Sequence, residues 1–367
     1  MVFYINNIGV YIHIPFCNEK CPYCDFYSVN YDNNLEEKYI DSIIREIEKS
    51  KKDKADSLYI GGGTPSCINP KRLASVIITA KDKFDIDDFA EITVECNPSN
   101  DLKILLPVLS NAGVNRISMG LQSAVFQERK ALGRKAKPED VQKAVELARD
   151  TGIENISLDL MLGVPKQTKE SLKSSIDFCK SLDIEHISAY ILKIEENTPF
   201  YKMKNTLELP SEDEVASLYI YACNQLEKSG FNQYEISNFS KNGKESKHNL
   251  KYWNCDEYLG FGASAHSFID GKRFFYSRDL KSYINGSKSV LDGEGGSFEE
   301  YLMMRLRLTR GLREEAVKSR FGYGIPFDIK EKAKSMEQYG VIVCDDEGIR
   351  LTQKGFLLSN SIISKLI

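Results

Sequence analysis

Short apolar runs rich in β-formers alternate with longer amphipathic stretches six times between residues 10 and 229, and nothing else in the sequence constrains the fold as much. The runs are Val10–Ile14, Ser57–Ile60, Glu91–Glu95, Arg116–Met119, Ile156–Leu160 and His186–Ile191. The stretches with helical spacing are Leu35–Ser50, Pro70–Phe84, Leu102–Ala112, Pro138–Thr151, Lys169–Leu182 and Glu212–Ser229. A chain that repeats strand and helix in this way builds a parallel sheet through right-handed crossovers, so the class is α/β. Six such units are two short of a closed eight-fold barrel. The expectation is therefore a partial (β/α)6 TIM-like barrel, with a doubly wound open sheet as second choice.

The residues just after the runs are unusual. In order they are Cys17; Gly61-Gly62-Gly63-Thr64-Pro65; Glu95-Cys96-Asn97-Pro98; Gly120-Leu121-Gln122-Ser123; and Asp159 through Pro165. All sit at the carboxyl ends of strands, where barrels and open α/β sheets assemble their sites.

The pattern changes after about residue 230. Tyr234–Trp253 is polar, aromatic and turn-rich, and reads as an exposed loop, while Gly260–Ser267 is rich in small residues. A linker at Asp292–Gly296 leads to a compact tail. The tail shows helical patterns at Phe298–Thr309 and Arg313–Arg320, strand-like Val341–Cys344 and Ile349–Leu351, and a last helix from Lys354. That order resembles a small winged-helix unit. The expected division is 1–230 barrel, 231–292 barrel extension and 296–367 winged-helix-like domain.

A winged helix invites a nucleic-acid reading, but the charge opposes it. Residues 296–367 hold 12 Lys and Arg against 10 Asp and Glu, and the whole chain carries a net charge of −4. Nucleic-acid binding rests on neutralising phosphates, so no nucleic-acid partner is expected. No apolar run is long enough to cross a bilayer, and the first residues lack the basic and cleavage regions of a signal peptide. A cytoplasmic location is the expectation. Nine cysteines, an odd number in such a chain, argue against a disulfide framework.

Three of those cysteines, Cys17, Cys21 and Cys24, are spaced C-x3-C-x2-C. A loop this tight can aim three thiolates at three corners of one iron–sulfur cubane. Cubanes are normally held by four cysteines, so three leave one iron open to an outside ligand. The alternative is a zinc knob, which needs a fourth ligand that only Cys67 or Cys96 could bring through the fold.

With Tyr23 before its last cysteine, this motif resembles that of the radical S-adenosylmethionine proteins. YIHIPFC, GGGTPS, ECNP, GLQS, Leu132-Gly133-Arg134 and DLMLGVP extend the resemblance to the oxygen-independent coproporphyrinogen dehydrogenase group. The resemblance implies a 4Fe–4S cluster on Cys17, Cys21 and Cys24 whose free iron binds S-adenosylmethionine. It also implies that an electron from the cluster cleaves the sulfonium to a deoxyadenosyl radical.

Carried onto this sequence, the resemblance implies that Gly62, Gly63 and Thr64 cradle the methionine amino group and that Arg134 pairs with its carboxylate. It implies that Glu95, Gln122 and Asp159 meet ribose and methionine polar groups, while Tyr11 lines the site and Tyr23 gives an aromatic contact. Taken singly, each has a plainer reading as a turn, a helix cap or a surface charge.

Within the group, a dehydrogenase that decarboxylates porphyrinogen propionates contrasts with the HemW-type haem chaperones, which bind haem and pass it to acceptor haem proteins. The dehydrogenases carry a fourth cysteine two residues after the third, and here that position is Phe26. They also carry a longer N-terminal extension, and here 16 residues precede Cys17. His248-Asn249-Leu250-Lys251-Tyr252-Trp253 resembles the H-N-x-x-Y-W motif associated with haem in the chaperones. All three differences favour the chaperone.

That resemblance makes His248 the expected axial haem ligand, with Tyr252 and Trp253 stacking on the porphyrin. The plainer reading has His248 capping a turn and Trp253 anchoring the loop. His13, in phase with Tyr11, has two readings, one facing the barrel interior near the cluster and one as a packed, hydrogen-bonded strand histidine; His186 opens a strand, and His266 lies near the site without an assigned role. The expected cofactors are the 4Fe–4S cluster, S-adenosylmethionine and haem. The expected partners are acceptor haem proteins, membrane-associated ones among them, with a homodimer left open. No catalytic residue is assigned, and a radical transferase acting on another substrate stays open because fold does not choose chemistry.

Overall fold

A computed structural model describes residues 7–51 and 53–367 of the chain; the reading of the first six residues lies outside them. All six expected strands form: β1 (Ile8–Ile14), β2 (Ala55–Gly62), β3 (Glu91–Cys96), β4 (Arg116–Gln122), β5 (Asn155–Leu162) and β6 (His186–Ile191). They pair in parallel in sequence order. The helices between them include α1 (Asn33–Lys49), α2 (Pro70–Lys83), α3 (Leu102–Asn111), α4 (Pro138–Asp150) and α5 (Lys169–Ser181), and α6 (Glu212–Lys228) follows β6. Local chemistry sets their starts. The Asp32 carboxylate accepts from the amides of Asn34 and Leu35 at the head of α1, and Ser211 and Glu214 form a reciprocal box at the head of α6.

Side chains alternate across the strands, and the register carries this alternation from one strand to the next. Val10, Ile12, Ile14, Leu58, Ile60, Ile92 and Val94 are fully or almost fully buried in the core. The opposite, concave face is polar. Tyr11 stands beside Tyr59, Tyr59 beside Thr93, and Thr93 beside Arg116. One layer nearer the carboxyl ends, Glu95 stands beside Ser118 and Gly120 beside Asp159.

Among the described residues the sheet runs beyond the six strands, to twelve in all. On the far side of β1 lies a further parallel strand, β8 (Tyr258–Phe261), followed by antiparallel β9 (His266–Ile269), β10 (Lys272–Phe275) and β11 (Val290–Glu294). On the other edge β7 (Asn238–Ser240) pairs antiparallel with β6. The small-residue segment at 260–267 is thus two strands and their turn, not a separate feature. A methyl at Gly260 would lie 2.1 Å from the His266 carbonyl oxygen, which hides the strand character behind a glycine.

The exposed loop expected over Tyr234–Trp253 is corrected. Lys247–Trp253 is a helix, α7, and it packs on the amino-terminal end of the barrel, with the Lys251 ammonium on the Asn7 carbonyl and on Asp56. Its first amides donate to the Glu91 carboxylate (Lys247 N to Oε2 and His248 N to Oε1, both 3.0 Å), so a side chain from β3 caps it. A capping partner more than 150 residues away leaves no local sequence signature.

The tail holds α8 (Phe298–Arg305), α9 (Glu314–Phe321) and α10 (Phe327–Glu337), then a three-stranded sheet in which β12 (Leu312–Arg313) and β13 (Ile342–Asp345) flank β14 (Gly348–Leu351). This is the winged-helix-like arrangement, with α10 as an element the sequence reading missed. Phe298, Leu302, Leu306 and Val317 join the same apolar core as the barrel. The Arg320 guanidinium donates to the Cys255 carbonyl at 2.8 Å, joining the tail to the segment after α7.

Candidate functional site

The strand ends converge as the sequence predicts. Beyond β1 the chain continues through Phe16 and Cys17, which pair with Val29 and Asn30. Val29 N donates to the Pro15 carbonyl at 2.7 Å and Tyr31 N to that of Cys17 at 2.9 Å, so both ends of the cysteine loop are pinned. Inside it, a turn closed by Cys24 N on Cys21 O (3.1 Å) brings the last two thiols together. Cys17 is buried, and Cys21 and Cys24 are half-buried.

The second strand end touches the first. Thr64 Oγ1 lies 3.4 Å from Cys17 Sγ. A methyl on Gly63 would lie 2.7 Å from the Phe16 carbonyl oxygen and 3.1 Å from Cys17 Sγ, and Gly62 has a φ of 117°. Both positions need glycine, one for close approach and one for its backbone angle.

Arg134 reaches the loop from the turn after a short helix, Phe126–Ala131. Its Nη1 lies 3.6 Å from Cys21 Sγ and its Nη2 donates to the Gly120 carbonyl at 2.6 Å. Its Nε is buried without a partner. Gln122 takes a φ of 65° where the register of β4 against β5 slips. Left-handed backbone at a non-glycine residue is strained and gathers at functional sites.

Glu95 and Asp159 complete the floor. Tyr59 OH (2.8 Å) and Gly62 N (3.0 Å) donate to Glu95, and Ser118 Oγ lies 3.5 Å from Asp159. Burial, foremost, raises the Glu95 carboxyl to about 7 and that of Asp159 to about 6. Tyr23 packs edge-on against Phe200, at 6.1 Å between ring centres, which holds the cysteine loop on a small apolar group of Leu132, Val164 and Phe200.

This donor set fits an iron–sulfur cluster and an amino-acid-bearing cation. Three thiols stand at one edge of the site, beside a guanidinium with an unpaired buried N–H and two buried carboxyls that favour positive charge. Among the described residues no three of His, Cys, Asp and Glu converge on a single ion.

The haem expectation for His248 is corrected in one respect. His248 is fully buried at the base of the barrel. Ser57 Oγ lies 3.0 Å from its Nδ1 and Tyr252 OH 2.8 Å from its Nε2, so both nitrogens are engaged. Burial lowers its pKa to about 3, leaving a neutral ring that donates to one hydroxyl and accepts from the other. Tyr252 differs: it lines a cavity of about 270 Å³ together with Tyr11, His13, Phe26, Tyr27, Tyr258, Ser264, His266 and Arg278. Trp253 is half-buried in α7.

The sequence reading missed Arg116, Glu91 and Tyr59. Arg116 is 2% exposed on the concave face, and although burial opposes its charge, Glu91 foremost among its neighbours keeps its pKa above the ordinary value. The available signal was a charged residue opening each of two apolar runs, in phase with the interior positions.

Comparisons with known proteins identify the family. The Radical SAM superfamily matches residues 11–179 and the HemN C-terminal domain matches residues 298–358. The heme chaperone HemW of Bacillus subtilis (strain 168) is 35% identical, covering 98% of this chain and 99% of its own length. That of Lactococcus lactis subsp. lactis (strain IL1403) is 33% identical over 98% and 97%. In three dimensions the chain resembles the coproporphyrinogen III oxidase HemN from Escherichia coli, with a TM-score of 0.83 over 98% of this chain and 90% of that one. At 21% identity that likeness speaks for the fold. Matched over nearly its whole length by relatives of this kind, the chain belongs to the HemW family of radical S-adenosylmethionine proteins.

Proposed function

We propose that this protein is a haem chaperone, which binds haem and hands it to acceptor haem proteins, with a 4Fe–4S cluster and S-adenosylmethionine as its resident groups. The observation that carries the reading is the match to heme chaperones at 35% and 33% identity over nearly the whole chain. Phe26 supports it: where the dehydrogenase pattern has a fourth cysteine, this side chain is 70% exposed at the mouth of the 270 Å³ cavity.

Cys17, Cys21 and Cys24 would hold the cluster. Arg134 would take the carboxylate of S-adenosylmethionine, the Gly62–Thr64 segment its amino group, and Glu95, Gln122 and Asp159 its remaining polar groups. When bound, the pair supplies a one-electron donor next to a cleavable sulfonium. This chain's own residues orient that pair and narrow the space beside it: Tyr11, Tyr59 and Tyr252, all half-buried, fill the concave face beneath the strand ends. Haem would lie against the cavity wall that Tyr252 forms. The cavity is small for a porphyrin, so the macrocycle would enter edge-first and keep part of its rim in solvent, as a carrier that must release its cargo requires.

Anaerobically reconstituted protein, titrated with haemin and then mixed with a haem-free acceptor, tests the reading. The expected result is a haem Soret band on this protein that moves to the acceptor. Formation of protoporphyrinogen from coproporphyrinogen, S-adenosylmethionine and a reductant would replace the chaperone reading with the dehydrogenase one.

A further inference from the structure

We propose that the haem iron is bound by His266 in the cavity on the concave face, with Arg278 facing a propionate; the proposal deepens, and rests on, the haem-chaperone reading.

The chain has four histidines, and a neutral imidazole can bind iron only through a nitrogen whose lone pair is free. Three of the four are committed. His13 Nδ1 lies 3.0 Å from Tyr11 OH and its Nε2 lies 3.0 Å from the Tyr27 carbonyl oxygen. His186 Nδ1 lies 2.8 Å from Ser157 Oγ and its Nε2 lies 2.8 Å from Tyr234 OH. His248 is held by Ser57 and Tyr252. All three are buried. His266 is the exception: it makes no side-chain hydrogen bond to any described residue, it is exposed, and it lines the cavity.

The backbone explains its placement. β8 pairs with β1 so that Tyr258 stands beside Gly9 and Gly260 beside Tyr11, and β9 pairs with β8 through Phe268 and Tyr258. Counting by twos along β9 puts His266 on the same face as Phe268, and hence on the concave face with Tyr11 and His13. Its ring stacks on Phe275 at 5.6 Å and 26°, which fixes the ring plane and leaves the nitrogens at the edge. The burial of part of its ring lowers its pKa, a shift toward the neutral form that ligates.

The other walls suit a porphyrin. Tyr11, Phe26, Tyr27, Tyr252 and Tyr258 give aromatic surface for the macrocycle. The cavity's one cationic side chain, Arg278, is 61% exposed and only 3.8 Å from Asp25 in a long, weak pair, so its guanidinium is available to a carboxylate. Asp25 follows Cys24 directly, so binding at Arg278 would be felt by the cysteine loop. The bond formed is a dative one from an imidazole nitrogen to iron, replacing a water or chloride on haemin, with no electron transferred.

The test is a haemin titration of the full-length, cluster-reconstituted protein, followed by optical and electron paramagnetic resonance spectra. Wild type should show an imidazole-ligated haem. His266→Ala should lose that signature and bind haemin roughly tenfold or more weakly, with free imidazole restoring the signature. Arg278→Ala should weaken binding while keeping it. Iron and sulfide content and the melting temperature should match wild type in both variants. If wild type binds haemin and His266→Ala keeps its affinity and spectrum, the ligand assignment falls and the chaperone reading stands. If His248→Gln alone removes the imidazole signature, the assignment is likewise overturned. If wild type binds no haemin, the chaperone reading fails and takes the assignment with it.

Discussion

The His248 Nε2 and the Tyr252 hydroxyl lie 2.8 Å apart, one helical turn from each other on α7, with the histidine sealed in the base of the barrel and the tyrosine on the cavity wall. The pair links the haem-type motif to the cavity without exposing the imidazole. His248 is therefore a positioning residue. His248→Ala should lower stability by about 2–4 kcal/mol, from a cavity plus unpaired Ser57 and Tyr252 hydroxyls. A thermal melt checks this, and a melting temperature equal to wild type would show that α7 does not pack here.

Glu91 caps the same helix from another strand. Glu91→Ala leaves the amides of Lys247 and His248 without their acceptor and removes the carboxylate that does most to support the Arg116 charge. A loss of about 1–3 kcal/mol is expected, with faster amide hydrogen exchange over residues 247–253 than over β4. Uniform exchange across both segments would contradict the capping role.

Arg134 holds its place with two hydrogen bonds and keeps Nε in reserve. Arg134→Ala should weaken S-adenosylmethionine binding about 10- to 100-fold, the worth of a lost charge-assisted pair. Arg134→Lys should fail to restore it, because a single ammonium cannot serve Cys21, Gly120 and a carboxylate together. Calorimetric titration of the reconstituted protein reads both, and an unchanged dissociation constant would remove Arg134 from the site.

Glu95 and Asp159 give the cofactor site a pH dependence. Their carboxyls rise from 4.5 to about 7 and from 3.8 to about 6 on burial, so near pH 6 Glu95 is mostly protonated and Asp159 is divided between its two forms. A cationic ligand prefers the ionised forms, so S-adenosylmethionine affinity should rise between roughly pH 6 and 8 and then level off. Stability runs the other way. The folded state binds more protons than the unfolded chain, so fold stability falls as pH climbs from the unfolded values through about 7. Glu95→Gln should flatten both profiles above pH 6 and raise the melting temperature at pH 8. A binding profile as steep as wild type would assign the titration elsewhere.

Gly63→Ala places a methyl 2.7 Å from the Phe16 carbonyl and against Cys17 Sγ, where backbone rather than a flexible side chain must yield. The strain, about 1–3 kcal/mol, falls on the cysteine loop. Reconstituted protein should hold much less iron and sulfide than wild type, and full cluster content would show that the loop can move aside.

The sequence by itself determined the six-fold strand–helix order and the residues at each strand end, because apolar period and turn chemistry are written within a few residues of where they act. Cys17, Gly62, Gly63, Glu95 and Asp159 were legible as strand-end residues for that reason, Cys21 and Cys24 through their spacing from Cys17, while Arg134, beyond a short helix after β4, came in only through the family resemblance. Only the tertiary structure decided which histidine is free. His248 and its partner Ser57 are 191 positions apart, and the cap from Glu91 is 157 positions from His248, so the burial of α7 is a long-range outcome with no local trace. His266 owes its exposure to the way β8 and β9 extend the sheet past β1. A hydrogen-bonding group is spent or available according to what packs against it, and packing across a parallel sheet is fixed by register between distant strands rather than by neighbours in the chain.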